Sequence, residues 1–253
     1  PSHTLNSSGV QEIHKFLDII EKKDDLRVLA FTGEGENVFI RHYEVGELAD
    51  SAEKNIESSK ETKDPKELHA FHRMLLRLRE LDAIVVAGIN GNTAGGGCEF
   101  SLGCDLRVMS DGDFLFGLPE TSVGILPGGG GTQRLSRLIG SSRALDLILH
   151  AKLLKPLEAY NLGIINKLLT EKKFKEELDE YCEDLVNRAP IALSQVKKII
   201  HQGLEMSLED SLLLEQKAFD VTMNSKDAAR AMRSLLNAQE NIENEIKFEW
   251  KGE

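Results

Sequence analysis

Two carboxylates and two glycine-rich loops are the residues best placed to do chemistry. Gly95-Gly96-Gly97 leads into Cys98-Glu99, and Gly128-Gly129-Gly130-Gly131 leads into Thr132, each ahead of a helical pattern. A helix N-terminus points unpaired N–H groups outward and carries partial positive charge. Glycines there let a ligand approach the backbone closely. Such a turn can cradle a phosphate or polarise a carbonyl oxygen. Neither loop is followed by the Gly-Lys-Ser/Thr of a Walker loop, and neither fits the dinucleotide fingerprint; a plain turn is the simpler alternative. Glu99 falls in the first turn of the short helix after Gly97, and Glu120 follows Pro119 at the end of an apolar run. Both have apolar neighbours, where a free carboxylate is costly. Brought together, two such groups repel as anions, so one holds a proton near neutral pH and a general acid and a general base share one site. A capping role for Glu99 and a salt bridge for Glu120 are the competing readings. Cys98 has no histidine in a triad-like context and reads as a buried thiol. His69 and His72 stand three apart, but two ligands without a carboxylate make a poor metal site, and no metal is expected.

The elements that must position these groups follow from periodicity. Ser7 and Ser8 are candidate caps for a first helix with Val10, Ile13, Leu17 and Ile20 on its buried stripe. A strand over 26–31, a turn over 32–37 and an extended run over 38–40 come next. Residues 49–67 are polar and charged, as in a solvated helix or a loop. A helix over 65–81 is expected to bury Leu68, Phe71, Leu75 and Leu78. Residues 84–89 (Ile84 to Ile89) form a nearly all-apolar run, the kind of strand buried on both faces. Another strand is expected over 105–109 and a short one over 162–168. Helices are expected over 143–151, 171–187, 191–204, 208–223 and 226–240. Strands and helices alternate early and helices dominate late, which gives an α/β core with a helical C-terminal extension in a single folding unit.

Composition excludes other classes. The 253 residues are 41% hydrophobic and 29% charged, ordinary for a globular chain long enough to bury a sizeable core. Lys and Arg number 31 against 42 Asp and Glu, and the resulting net charge of −11 argues against nucleic acid or an anionic membrane as partner. No apolar run approaches the length of a bilayer span, and the first residues lack a basic-then-apolar leader pattern. Three cysteines, Cys98, Cys104 and Cys182, are too few and irregular for a disulfide framework, so a reducing, cytoplasmic location is expected.

The stretch from Ile89 through Asn90-Gly91-Asn92-Thr93-Ala94-Gly95-Gly96-Gly97-Cys98 to Glu99 resembles the signature of the crotonase (enoyl-CoA hydratase/isomerase) superfamily. So does the block from Phe116-Gly117-Leu118-Pro119-Glu120 through Gly128-Gly129-Gly130-Gly131 to Thr132-Gln133-Arg134-Leu135. The resemblance extends over almost the whole chain. It implies a crotonase-like ββα spiral core over residues 1–190 and a helical trimerisation region over 191–253 of the same unit. It also implies that the family's usual first strand is missing ahead of Leu5-Asn6. By the same resemblance, Glu99 and Glu120 align with the glutamates that activate a water and protonate the α-carbon of a 2-enoyl-CoA thioester. Gly96 and Tyr43 supply the backbone N–H groups of an oxyanion hole. Arg41, His42, Gly95, Pro119, Pro127 and Gly128 contact the substrate, and Gly128 helps to place the water. Coenzyme A enters as part of the substrate and no other cofactor is implied. A homotrimer or homohexamer is implied as the assembly.

One segment departs from the family pattern. Where the second oxyanion donor normally sits among small residues, this sequence has Phe39-Ile40-Arg41-His42-Tyr43-Glu44. The Tyr43 amide is still available, but its side chain and His42 add bulk that is expected to reshape the acyl pocket. His42 is a candidate third acid/base or substrate group, and Arg41 a candidate partner for a CoA phosphate. The leading expectation is an enoyl-CoA hydratase-type lyase. The alternatives are a crotonase-fold β-diketone hydrolase that ignores CoA, and a non-catalytic binding protein.

Overall fold

The computed structural model describes residues 3–35, 37–59, 61, 64–238 and 248–253. Two four-stranded sheets run through the α/β part of the chain. One has the order β1 (Val28–Thr32), β3 (Ile84–Ile89), β5 (Leu106–Ser110), β8 (Lys167–Leu169). The other has β2 (Asn37–Val38), β4 (Gly91–Ala94), β6 (Phe116–Gly117), β7 (Leu153–Leu154). The first six strands alternate between the sheets, and β3/β5, β5/β8, β2/β4 and β4/β6 are parallel, while β7 pairs antiparallel with β6. Each of the first three passes therefore adds one strand to each sheet before a helix, which is the ββα spiral.

Asn90 and Asn92 staple one pass to the next. The Asn90 side chain accepts from Gly33 N and donates to Gly33 O and Gly35 O, while Asn92 accepts from Leu115 N at 2.9 Å and donates to Asn37 O. Between them, a Cβ on Gly91 would collide with the Asn37 backbone. The core strand β3 is buried at every position, as its apolar run predicts. Phe100 stands edge-on to Phe31 with ring centroids 5.1 Å apart.

Several helices differ in detail from the sequence pattern. In α1 (Ser7–Ile20) the cap is Asn6, whose side chain accepts from Gly9 N, rather than Ser7 or Ser8. The helix α2 (Val45–Glu57) has no buried residue, a solvated helix within the polar region. The next, α3 (Ala70–Glu80), starts five residues later than the pattern suggests, so Leu68 is 52% exposed and outside the buried stripe. The glycines open their own helices: α4 is Gly96–Leu102 and α5 is Gly131–Ile139. After α6 (Ser141–Leu149), an unforeseen α7 (Pro156–Asn161) begins with Pro156, with Glu158 bonded back to Lys155 N. The strand expected over 162–168 contracts to β8. Then come α8 (Phe174–Val186), α9 (Pro190–Gly203), α10 (Leu208–Met223) and α11 (Lys226–Ala238); positions 239 and 240 of the last predicted helix lie outside the described residues.

The chain divides into two compact units. The first comprises Pro1–Asp24, Ala30–Arg79 and Val85–Leu178, and the second Asp25–Leu29, Glu80–Ile84 and Asp179–Glu253. In the second, Lys197 is buried with Nζ on Ala83 O at 2.8 Å, and Asp82 accepts from Ser194 Oγ and pairs with Lys198. Leu208, Leu212 and Leu213 on α10 are exposed rather than packed in a core. Among the described residues no helix is long and apolar enough to cross a membrane.

Candidate active site

The candidate site lies wholly within the first unit. Glu99 sits in the first turn of α4 and is only 4% exposed. Its Oε1 accepts the amide hydrogens of Gly129 at 2.7 Å and Gly131 at 2.8 Å. Burial pushes its carboxyl above the ordinary range, while those two amides and the nearby Arg134 guanidinium pull it back by favouring the anion. This cradle exists because Gly130 adopts φ +103°, a left-handed turn that swings the flanking amides towards one point. Side chains have no room at its edges: a Cβ on Gly129 would stand 2.5 Å from Glu99 Oε2, and one on Gly131 would stand 2.8 Å from Leu118 Cδ1.

Glu120 opens a 3-10 turn, Glu120–Val123, immediately after Pro119. It is half-buried, and its Oε2 is shielded from solvent with no hydrogen-bond partner among the described residues. Burial pushes this carboxyl up to about 7, opposed by its own backbone amide and reinforced by the charge of Glu99. The two glutamates therefore act on each other electrostatically, as the sequence pattern requires, but their surroundings differ. Glu99 has two amide donors, whereas Glu120 has an unsatisfied oxygen, so Glu120 is the one that keeps its proton more readily near neutrality. Neither competing assignment from the sequence applies: Glu99 bonds amides of another loop, and Glu120 pairs with no cation among the described residues.

Beside them stand two amides. The N-terminal segment pairs in parallel with the 41–44 segment at Leu5 and Tyr43, through Leu5 N to His42 O and Glu44 N to Leu5 O. That pairing turns the Tyr43 N–H the other way, towards the start of α4, where a Cβ built on Gly96 would lie 3.0 Å from Tyr43 N. The Gly96 N–H belongs to the first helical turn and has no partner within the helix. The Tyr43 and Gly96 backbones are thus close neighbours beside the glutamates.

The Tyr43 side chain takes a different course from the one its bulk suggests. Its ring meets Phe71 edge-on, and its hydroxyl shares a hydrogen bond with Ser7 Oγ at 2.9 Å and donates to Glu47 Oε2. The phenol is held between α1 and α2. His42 is half-buried with Nδ1 on Tyr43 O at 2.7 Å, and its Cβ lies 3.8 Å from where a Cβ on Gly95 would stand. That same position on Gly95 is 3.0 Å from Glu120 Oε1, so His42, Gly95 and Glu120 share one wall. Arg41 is exposed, Pro119 half-buried, Pro127 buried and Gly128 exposed.

Sequence reasoning missed the amides of Gly129 and Gly131, because a backbone donor leaves no trace in residue type. It also missed Thr93, whose Oγ1 donates to Ile40 O at 2.7 Å and ties the oxyanion segment to β4. Cys98 is fully buried, and desolvation with the charge of Glu99 raises its thiol well above the ordinary value; it stays protonated and is no nucleophile.

Comparison with known proteins identifies relatives of the chain. Residues 1–247 match the profile of the family described as enoyl-CoA hydratase/isomerase. A short-chain-enoyl-CoA hydratase of Clostridium acetobutylicum is 32% identical over 92% of this chain and 86% of its own length. A crotonyl-CoA hydratase of Syntrophomonas wolfei is 26% identical over the same shares of the two chains. The crystal structure of an enoyl-CoA hydratase from Bacillus anthracis superposes with a TM-score of 0.85 at 28% identity, covering 99% of this chain and 91% of that one.

Proposed function

Because this chain belongs to the enoyl-CoA hydratase/isomerase family and is a hydratase-like enzyme of the crotonase superfamily, we propose that it adds or removes water across the double bond of a 2-enoyl-CoA thioester. The observation that carries the proposal is the pairing of an amide-cradled Glu99 with an unsatisfied, proton-retaining Glu120. In the hydration direction, Glu99 takes a proton from water as its oxygen bonds to the β-carbon. The electrons of the double bond shift towards the thioester oxygen, where the Tyr43 and Gly96 amides stabilise the developing charge. Glu120 then gives its proton to the α-carbon. Proton transfer from Glu99 back to Glu120, directly or through solvent, restores the starting state. Each group is thereby used once per turnover and no further cofactor is required.

Coenzyme A is the substrate's handle in this reading, which the names of the relatives support. The CoA-free diketone hydrolase rests on the bulk of His42 and Tyr43; the Tyr43 ring is directed at Ser7, Glu47 and Phe71 instead, while His42 stays on the wall it shares with Gly95 and Glu120. The exposed Leu208, Leu212 and Leu213 suit a face between copies in a trimer or a pair of trimers, which sedimentation would detect. Cys98 and Cys104 are buried and in no disulfide, which fits a reducing, cytosol-like compartment.

The deciding experiment is turnover of short 2-enoyl-CoA thioesters by wild type, Glu99→Gln and Glu120→Gln. Each variant is expected to lose at least about a hundredfold in kcat, the range of one general acid or base. Near-normal turnover by both would overturn the reading.

A further inference from the structure

The Thr132-Gln133-Arg134-Leu135 end of the second motif has no part in the chemistry above, yet Arg134 lies directly behind it. This half-buried side chain of α5 donates through Nη1 to the carbonyl oxygen of Gly129 at 3.2 Å. His72 of α3 packs against the same turn, where the Gly129 backbone acts on its ring. A Cβ on Gly130 would stand 3.6 Å from His72 Nδ1 and would collide with Arg134 Nη1. The guanidinium thus holds the carbonyl end of Gly129, with the His72 ring against the turn, while the amide of Gly129 and that of Gly131 reach Glu99.

We infer that Arg134, backed by His72, is a positioning residue that fixes the loop of residues 128–131 so that two amides aim at Glu99. A left-handed turn of glycines has no side chains to hold it, and glycine gains more than any other residue from being released. Something outside the loop must fix the orientation on which the bonds to Glu99 depend. Charge acts in the same sense. The groups facing Arg134 are Glu99, Arg79, Cys104, Arg137 and His72, and Glu99 offsets the cost of burying the cation. In return Arg134 is the cation that lowers the pKa of Glu99, which also feels Glu120 and the protonated Cys98. His72 is held below its ordinary pKa by burial, Arg134 and His69, so it is a neutral donor at pH 7.

The inference rests on Glu99 being the base of the proposed hydration, and the test separates the two. Arg134→Gln, Arg134→Lys and His72→Gln are compared with wild type and Glu99→Gln by pH-dependent kinetics on a short 2-enoyl-CoA. The Glu99 carboxyl is also titrated in the free enzyme by carbon-13 NMR of labelled glutamate, assigned by its absence in Glu99→Gln. Arg134→Gln is expected to lower kcat about 10- to 100-fold with KM little changed. Its acid limb and the Glu99 resonance are expected to titrate at higher pH. Arg134→Lys, which keeps the charge, should return the titration towards wild type and restore part of kcat. His72→Gln, which removes the ring packed against the turn, should lower kcat by about two- to tenfold, and it decides the matter if Arg134→Gln does not fold. Wild-type kcat together with an unmoved Glu99 titration in the folded variants would overturn the inference. If Glu99→Gln is inactive in that case, the hydratase reading stands without it; if Glu99→Gln turns over normally, that reading fails first.

Discussion

A Cβ built on Gly96 would stand 3.0 Å from the backbone nitrogen of Tyr43 and 2.8 Å from its Cβ. The two amides of the proposed oxyanion hole are therefore neighbours only because position 96 has no side chain. Gly96→Ala must push the 41–44 segment or the start of α4 outward, separating the donors. Removing one such donor typically costs 10²- to 10³-fold in kcat; a loss of about a hundredfold is expected, measured beside the thermal unfolding midpoint to confirm that the fold survives. Gly97→Ala gives a contrast. Its Cβ would run into Ile40 O and stand 2.6 Å from Thr93 Oγ1, so its main effect should be on folding.

The carboxyl of Glu120, pushed up to about 7 from an ordinary 4.5, sets the pH dependence. The acid must be protonated to supply the α-carbon, so hydration kcat should fall as pH rises through about 7. Dehydration needs the carboxylate and should rise over the same interval. Stability follows the opposite rule to the usual salt-bridged carboxylate. Between pH 4.5 and about 7 the folded state holds the proton more tightly than the unfolded chain does, so this group's contribution to unfolding free energy declines as pH rises, then levels off. Glu99, also raised, contributes with the same sign. Denaturant unfolding at pH 5 and pH 8 of wild type and Glu120→Gln checks this: the variant should lose less stability between the two, and its hydration profile should lack the limb near 7.

Much of this was legible in the sequence because the informative residues are those whose side chains carry the constraint. An apolar run at 84–89 reads as a strand buried on both faces, as it is, and a carboxylate after three glycines is an expensive group that needs a reason. The illegible parts depend on backbone direction or on partners distant in sequence. The cradle of Glu99 is made of amides aimed by the φ of Gly130, and residue identity does not encode where an N–H points. The departure at Tyr43 was read from size alone, whereas its rotamer is decided by Ser7 and Glu47, 36 and 4 residues away. Leu68 fits a helical stripe by spacing, but the helix begins at Ala70.

Tyr43 offers a test of how its side chain and backbone divide the labour. Tyr43→Phe keeps the amide and the ring against Phe71 but loses the hydroxyl contacts to Ser7 and Glu47. These are partly exposed hydrogen bonds, so about 1 kcal/mol of stability is expected to be lost, with kcat changed by less than about threefold. Tyr43→Ala also removes the ring contact that braces the segment and should lower kcat further. A large kcat loss in Tyr43→Phe would place the phenol itself in the chemistry.

The second glycine loop gives the most local prediction, since its neighbouring glycines face different surroundings. The Cβ direction of Gly128 is open, with Leu126 O at 3.9 Å as the nearest atom, whereas a Cβ on Gly129 would stand 2.5 Å from Glu99 Oε2 and 2.7 Å from Phe71 Cε1. Gly128→Ala should fold with stability within about 0.5 kcal/mol of wild type. Gly129→Ala cannot keep Glu99 where it is. Either the carboxylate turns away and loses the amide at 2.7 Å, or the loop withdraws and loses both bonds. Both routes leave a buried carboxylate with fewer donors, so its pKa rises, the base weakens at neutral pH, and kcat should drop about a hundredfold with the acid limb moved to higher pH. Because the damage is to protonation as well as geometry, raising the assay pH should recover part of the loss in Gly129→Ala. The Gly96→Ala defect, which touches only the oxyanion donors, should not recover in that way.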